Sequence, residues 1–166
     1  MIIYQEAIKV KSKGLHPTFH DVTKQVKEAL KTSGVTKGVA TVYSRHTTCS
    51  VMIQERSHDY TYFGLEFLQQ DLINLMEGFI PTCRVENQYL HPGPEHIKFG
   101  ESVGEVGPWT SLNTDAHLRS SLFGRSESIP IEEGELDLGQ FGFIYFIDWD
   151  QVRARDRIVK VTIMGE

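Results

Sequence analysis

The sequence predicts an α+β fold organised around a mostly antiparallel sheet. Three observations lead there: β-branched segments before residue 55, two amphipathic helical stretches in the first half, and a run of closely spaced strands from residue 126 onward. In chain order, residues 2–11 mix apolar and polar positions as an opening strand does, and Gly14 closes it. Val22, Val26, Ala29 and Leu30 then fall at i, i+4, i+7 and i+8, which is one face of a helix. Asp21 is its expected N-cap and Gly34 its stop. Residues 38–45 (GVATVYSR) and 50–54 (SVMIQ) are β-branched and read as strands.

A second, longer helix is expected from about Asp59 to Glu77. Phe63, Phe67, Leu68, Leu72, Leu75 and Met76 form its broad apolar face, and Gly78 and Pro81 end it. Residues 83–112 are irregular, with Pro92, Pro94 and Pro108 and four glycines, and a connection of that length is commonly functional or mobile. His117–Phe123 reads as either a short helix or a strand. Strands are expected at 126–131, 135–138, 141–148 and 156–163, separated by EEG and by the charged turn DWDQVRARD. The segment FGFIYFI is apolar on both faces, so it is covered on both sides, within a two-sheet sandwich or beneath a subunit neighbour.

Composition narrows the function classes. With 166 residues, 40% hydrophobic and 23% charged, the chain suits one soluble domain with a real core and not a disordered segment. Lys plus Arg number 17 against 22 Asp plus Glu, and the resulting net charge of -5 gives no global attraction for a phosphate backbone; no nucleic-acid partner is expected. Cys49 and Cys83 stand far apart and form no CxxC pair. No signal-peptide pattern and no membrane-length apolar run is visible, so the expectation is a reduced, cytoplasmic protein that does not enter a membrane.

Seven histidines are candidates for chemistry. His16, His20, His58 and His96 lie in turn-like or polar surroundings and read as solvated or capping residues. His46 ends a strand and leads into Thr47, Thr48, Cys49 and Ser50, where hydroxyls beside an imidazole suit phosphate oxygens; a satisfied structural histidine fits the same pattern. His91 lies in YLHPGP. His117 lies in NTDAHLRSS, where Asp115, Arg119, Ser120 and Ser121 crowd around it. That cluster reads equally as an anion site, through charge-assisted Arg and hydroxyl bonds, or as a capped short helix. Imidazoles from three separate segments, His46, His91 and His117, suit an open His₃ metal site, although nothing in their spacing brings them together. Glu55, Asp59 and Asp71 are candidate bases or hard-metal ligands that read equally as surface acids. No GxSxG, P-loop or GxGxxG fingerprint occurs.

The succession HTTCSVMIQE, YLHP and DAHLRSSLFGRSESIPIEEGELDLGQFGFIYF resembles the YjbQ-like family over nearly the whole chain, most specifically between Asp115 and Phe146. Family members are described as secondary thiamine-phosphate synthase enzymes. The resemblance implies one domain over residues 1–166, a two-sheet α+β sandwich with two helices, and assembly into a homotrimer through the sheets. It also implies a site in which His46, His91 and His117 hold a divalent metal ion such as zinc or magnesium. Thr47, Thr48, Arg119, Ser120 and Ser121 would bind a phosphorylated small molecule, and Glu55 and Asp115 would be the catalytic carboxylates. Gln54 stands where the family has Asn, and two larger departures stand out. Gly139-Gln140-Phe141-Gly142 replaces the usual Gly-Thr-Trp-Gln, so that glutamine is missing, and the stretches 83–112 and 55–71 are longer than in bacterial members. The functions in contention are a thiamine-phosphate synthase-like transferase, a metal-dependent hydrolase, and a non-enzymatic metabolite- or metal-binding trimer.

Overall fold

The computed structural model describes residues 1–105 and 107–166. It contains β1 (Ile2–Lys11), β2 (Thr18–Asp21), α1 (Thr23–Ser33), β3 (Gly38–Ser44), β4 (Cys49–Glu55) and α2 (Phe67–Phe79). There follow α3 (Pro94–Ser102), a 3₁₀ turn (Pro108–Ser111), α4 (Thr114–Phe123), β5 (Ser126–Glu132), β6 (Glu135–Leu136), β7 (Gly142–Asp148) and β8 (Asp156–Gly165). The strands form two antiparallel sheets, one ordered β1-β8-β3-β5-β6 and the other β2-β7-β4. The α+β two-sheet architecture is therefore the one the sequence predicts.

Alternation along the strands fills the space between the sheets. Ile8, Val42, Ile129, Val159, Val161 and Ile163 point inward from the first sheet, Val51, Ile144 and Phe146 from the second, and α1 closes the layer with Val26, Ala29 and Leu30. The opposite face of the second sheet builds another core, in which Met52, Tyr145 and Ile147 meet Trp149, Met76 of α2 and Ala116 of α4. The FGFIYFI strand is thus covered on both sides within this chain, by the opposing sheet on one face and by helices on the other. Between β5 and β6, Glu133 (φ 52°) and Gly134 (φ 78°) are both left-handed, as a two-residue hairpin turn matched to strand twist requires.

Four local readings change. At the first helix, Val22 occupies the cap position and Asp21 supports it from one residue back, its Oδ1 accepting the Thr23 N–H at 2.9 Å, while Gly34 ends the helix at φ 70°. The second helix begins at Phe67 and not near Asp59, because Gly64 turns the chain and Tyr60 bridges to Glu66. Glu66 is fully engaged there: its amide donates to Gln69 Oε1 at 3.2 Å, and its carboxylate accepts from Ser57 N at 2.8 Å and Tyr145 Oη at 2.7 Å. There are four α-helices among the described residues, not two. Within the irregular stretch, Pro94 at the first helical position opens α3, and His117–Phe123 belongs to a helix that begins at Thr114. Finally, HPTFHD passes through the short strand β2 before α1.

Candidate functional site

One end of the sandwich collects the C-termini of β3 and β7 and the N-termini of β4 and β8. This follows from the register, since Ser44 pairs with Val159 and Cys49 with Asp148. Residues just beyond those strand ends line a cleft of about 350 Å³: Arg45, His46, Thr47 and Thr48 from the β3–β4 turn, and Asp150, Arg155 and Arg157 from the β7–β8 connection. His117 of α4, residues between His96 and Glu105, and Thr110, Ser111 and Asn113 complete it.

The floor is a charge network. Arg157 shares the inward face of β8 with Val159, Val161 and Ile163, which carries its guanidinium under the cleft. It donates to Asp148 from Nε (2.6 Å) and Nη2 (3.1 Å), and Nη2 also reaches Thr48 Oγ1 at 2.9 Å. Arg155 Nε lies 2.9 Å from Asp150 Oδ2 but out of line for a hydrogen bond. Glu105 lies 2.5 Å from Arg153 and 3.8 Å from Arg155. Asp148 and Asp150 are fully buried, so each carboxylate has an arginine beside it where water does not reach. Arg45, by contrast, is exposed and has no ion-pair partner among the described residues.

Hydrogen bonds fix the protons of three imidazoles. Thr114 gives its hydroxyl proton to the His91 carbonyl (2.6 Å), so it accepts from His91 Nδ1 (2.8 Å). The Thr47 carbonyl accepts from His117 Nδ1 at 3.3 Å. Both rings therefore carry their proton on Nδ1 and leave Nε2 bare. His46 is reversed, because its Nε2 accepts the Ile158 N–H at 3.0 Å and its lone pair is already in use. Burial lowers the pKa of all three, assisted by Arg157 and Arg45 at His46 and by the neighbouring His96 at His91 and, to a lesser degree, at His117. His91 packs against His96 (ring centroids 4.5 Å apart) and His117 (5.5 Å).

For the expected metal, His91 and His117 have the required form: each Nδ1–H is anchored to a protein oxygen and each Nε2 is available. His46 does not fit, since binding an ion would break its bond to Ile158. Among the described residues, no three His, Cys, Asp or Glu side chains are gathered closely enough to share an ion.

The structure brings Thr47, Thr48, His46 and His117 to the cleft and His91 beside it. The other expected site residues lie elsewhere. Glu55 is exposed at the far end of β4, about 20 Å along the strand from Cys49. Asp115 is buried and accepts the Cys83 N–H at 3.0 Å. Arg119 is wholly enclosed, donating to the Ile80 carbonyl (3.2 and 2.7 Å) and to Glu77 (2.9 Å), so it closes the end of α2 and cannot meet a ligand phosphate. Ser120 donates to the Cys49 carbonyl at 2.6 Å, and Ser121 back-bonds to the His117 carbonyl within its helix. The sequence reading missed Arg45, His96, Glu105, Asp148, Asp150, Arg155 and Arg157 as site residues. Their one visible signal is the spacing of Arg153, Arg155 and Arg157, which points alternate arginines to one side as a strand begins.

Fold and cleft together define a two-layer sandwich whose strand ends carry a small, partly cationic, histidine-lined pocket. The family model described as "UPF0047 protein YjbQ-like" matches residues 6–166, and the chain belongs to that family. A UPF0047 protein of Archaeoglobus fulgidus is 30% identical over 140 residues, covering 84% of this chain and 87% of the relative. One from Methanothermobacter thermautotrophicus is 29% identical over 146 residues, covering 88% and 82%. A crystal structure of a yjbq/upf0047 family protein from Clostridium acetobutylicum superposes with a TM-score of 0.71 at 28% identity, covering 96% of this chain and 99% of that one. A structure from Sulfolobus solfataricus P2, at 22% identity and a TM-score of 0.72, speaks for the fold alone; it covers 99% of this chain and 98% of that one. Among the described residues no helix is long and apolar enough to cross a membrane.

Proposed function

We propose that this chain is a transferase of the thiamine-phosphate synthase type that works on phosphorylated metabolites in the strand-end cleft. The observation carrying this reading is Arg45, without an ion-pair partner among the described residues, beside Arg155 and Arg157 in a cleft that His117 enters with a bare Nε2 and His91 flanks. Arg45 and the exposed hydroxyl of Thr47 bind phosphate oxygens by charge-assisted bonds. Such a reaction joins a thiazole phosphate to the methylene carbon of a pyrimidine pyrophosphate and expels pyrophosphate. A divalent ion, zinc or magnesium, would be held by Nε2 of His91 and His117 with oxygen ligands from the substrate, and supplies neutralisation of the leaving group. The protein's own task is then positioning and charge stabilisation, which needs no nucleophile motif.

A hydrolase of the same site needs a carboxylate base in hydrogen-bonding reach of the water it activates. The cleft's own carboxylates, Asp150 and Glu105, are engaged by Arg155 and Arg153, which favours transfer over hydrolysis. The reading extends to a cytoplasmic homotrimer, supported by the outer face of the first sheet, where Ile3, Tyr43 and Met164 are exposed.

The test is elemental analysis of tag-free protein beside His117→Ala, with pyrophosphate release assayed from the pyrimidine and thiazole phosphates. About one metal ion per chain, lost in the variant together with product formation, supports the proposal. Tight binding of the phosphates without turnover moves the protein to the class of non-enzymatic binding trimers. Metal-free protein after incubation with zinc or magnesium sinks the metal role.

A further inference from the structure

The cleft has a second wall of different chemistry. His96, Phe99 and Gly100 fall at i, i+3 and i+4 on one face of α3, Val103 follows at its C-cap, and all four line the cleft together with the arginines. Phe99 and Val103 are each 63% exposed, so two apolar side chains stand in water at the edge of a charged pocket with no core to enter. At the buried position on that face, Gly100 adds no side chain and lies against Glu105 and Ser111. The wall is tied to the floor at its end, where Glu105 reaches Arg153 and Arg155, and to α4 at its start through the paired bonds between His91 and Thr114. It therefore stands at a set distance from the cations.

We infer that α3 and its C-cap are the specificity element of this cleft, with Phe99 and Val103 reading an aromatic group on a phosphate ester whose phosphate lies on Arg45 and Arg155. The proposal rests on the anion-binding reading of the floor and assigns to Phe99 and Val103 the contact with the ring that the proposed substrates carry. An alkyl phosphate of minimal size fills the floor and leaves Phe99 in water. An aryl phosphate covers the Phe99 ring by edge or offset stacking and takes its apolar surface out of solvent.

Titration calorimetry with phenyl phosphate and methyl phosphate separates the two parts, since both present the same monoester head. The wild-type protein is expected to bind phenyl phosphate about tenfold or more tightly than methyl phosphate, the scale of one aromatic contact. Phe99→Ala should abolish that preference and leave methyl phosphate binding unchanged. Phe99→Leu, which keeps apolar area without the ring, should retain a fraction of it. Because Phe99 is largely in water, neither substitution removes core packing, and equal melting temperatures confirm this. Equal affinity of the wild type for both esters overturns the specificity wall while leaving the anion site standing. A Phe99→Ala variant that weakens both esters alike also overturns it. Failure of the wild type to bind either ester removes the wall and the floor together.

Discussion

Replacing Arg119 with Met separates a structural arginine from a phosphate-binding one. The guanidinium is fully enclosed, with Nε and Nη2 on the Ile80 carbonyl and Nη2 on Glu77, and its Nη1 is 3.7 Å from the Asp115 carboxylate. Glu77 has a side chain 36% exposed and regains water when the cation is lost, so its share is small. The Asp115 side chain is only 4% exposed and retains one strong partner, the Cys83 N–H. Removing one member of a buried pair in this way costs about 3–5 kcal/mol. For a chain of this length, that corresponds to a fall of roughly 6–20 °C in melting temperature.

Burial already raises the pKa of Asp115, with Arg119 opposing the shift, so the variant's carboxyl rises further. Protonated Asp115 needs no cation, and the deficit should therefore shrink as the solution is acidified. Urea denaturation at two pH values measures both effects. A variant as stable as wild type that loses affinity for methyl phosphate would refute the structural assignment and return Arg119 to the ligand.

Two further outcomes are expected. His46, His91 and His117 sit below the ordinary imidazole value of about 6.5 in the folded chain, so on acidification the unfolded chain takes up protons first. Stability should fall as pH drops through about 6.5 toward the folded-state values, and the urea midpoint should decline less steeply in His46→Gln, whose amide oxygen still accepts from Ile158 without titrating. At Gly38 an added methyl would collide with the Met164 carbonyl of the paired strand, and Gly38→Ala should cost about 1–3 kcal/mol by chemical denaturation; unchanged stability would show that the β3–β8 approach is looser than described.

What the sequence made legible was local. Val22, Val26, Ala29 and Leu30 mark α1 because one helical face carries its whole signal, and the strands from Ser126 onward alternate against short turns. The onset of α2 was hidden because Phe63 extends the apolar period backwards across a turn that Gly64 and the Glu66 carboxylate impose. α3 lies between Gly93 and Gly104, where glycine and proline resemble loop punctuation.

The site was harder for a related reason. Around His117 the local sequence is rich in Asp, Arg and Ser, yet whether those groups face ligand or core depends on α2 and on the strand end at Cys49, which lie far away in the chain. The Arg157–Asp148 pair spans one connection, but its link to Thr48 crosses 109 positions. Position on a strand end, more than residue type, decides which arginines are offered to a ligand.

The double coverage of β7 bears on how the molecule comes apart. Its two faces belong to different apolar layers, so neither layer can open while the other stays closed without exposing Ile144 and Phe146 or Tyr145 and Ile147 to water. The layers are therefore one cooperative unit. Amide protons of β7 should be released to solvent only in global opening, later than those of the peripheral strand β6, and the cleft at the strand's end loses its shape in that same event.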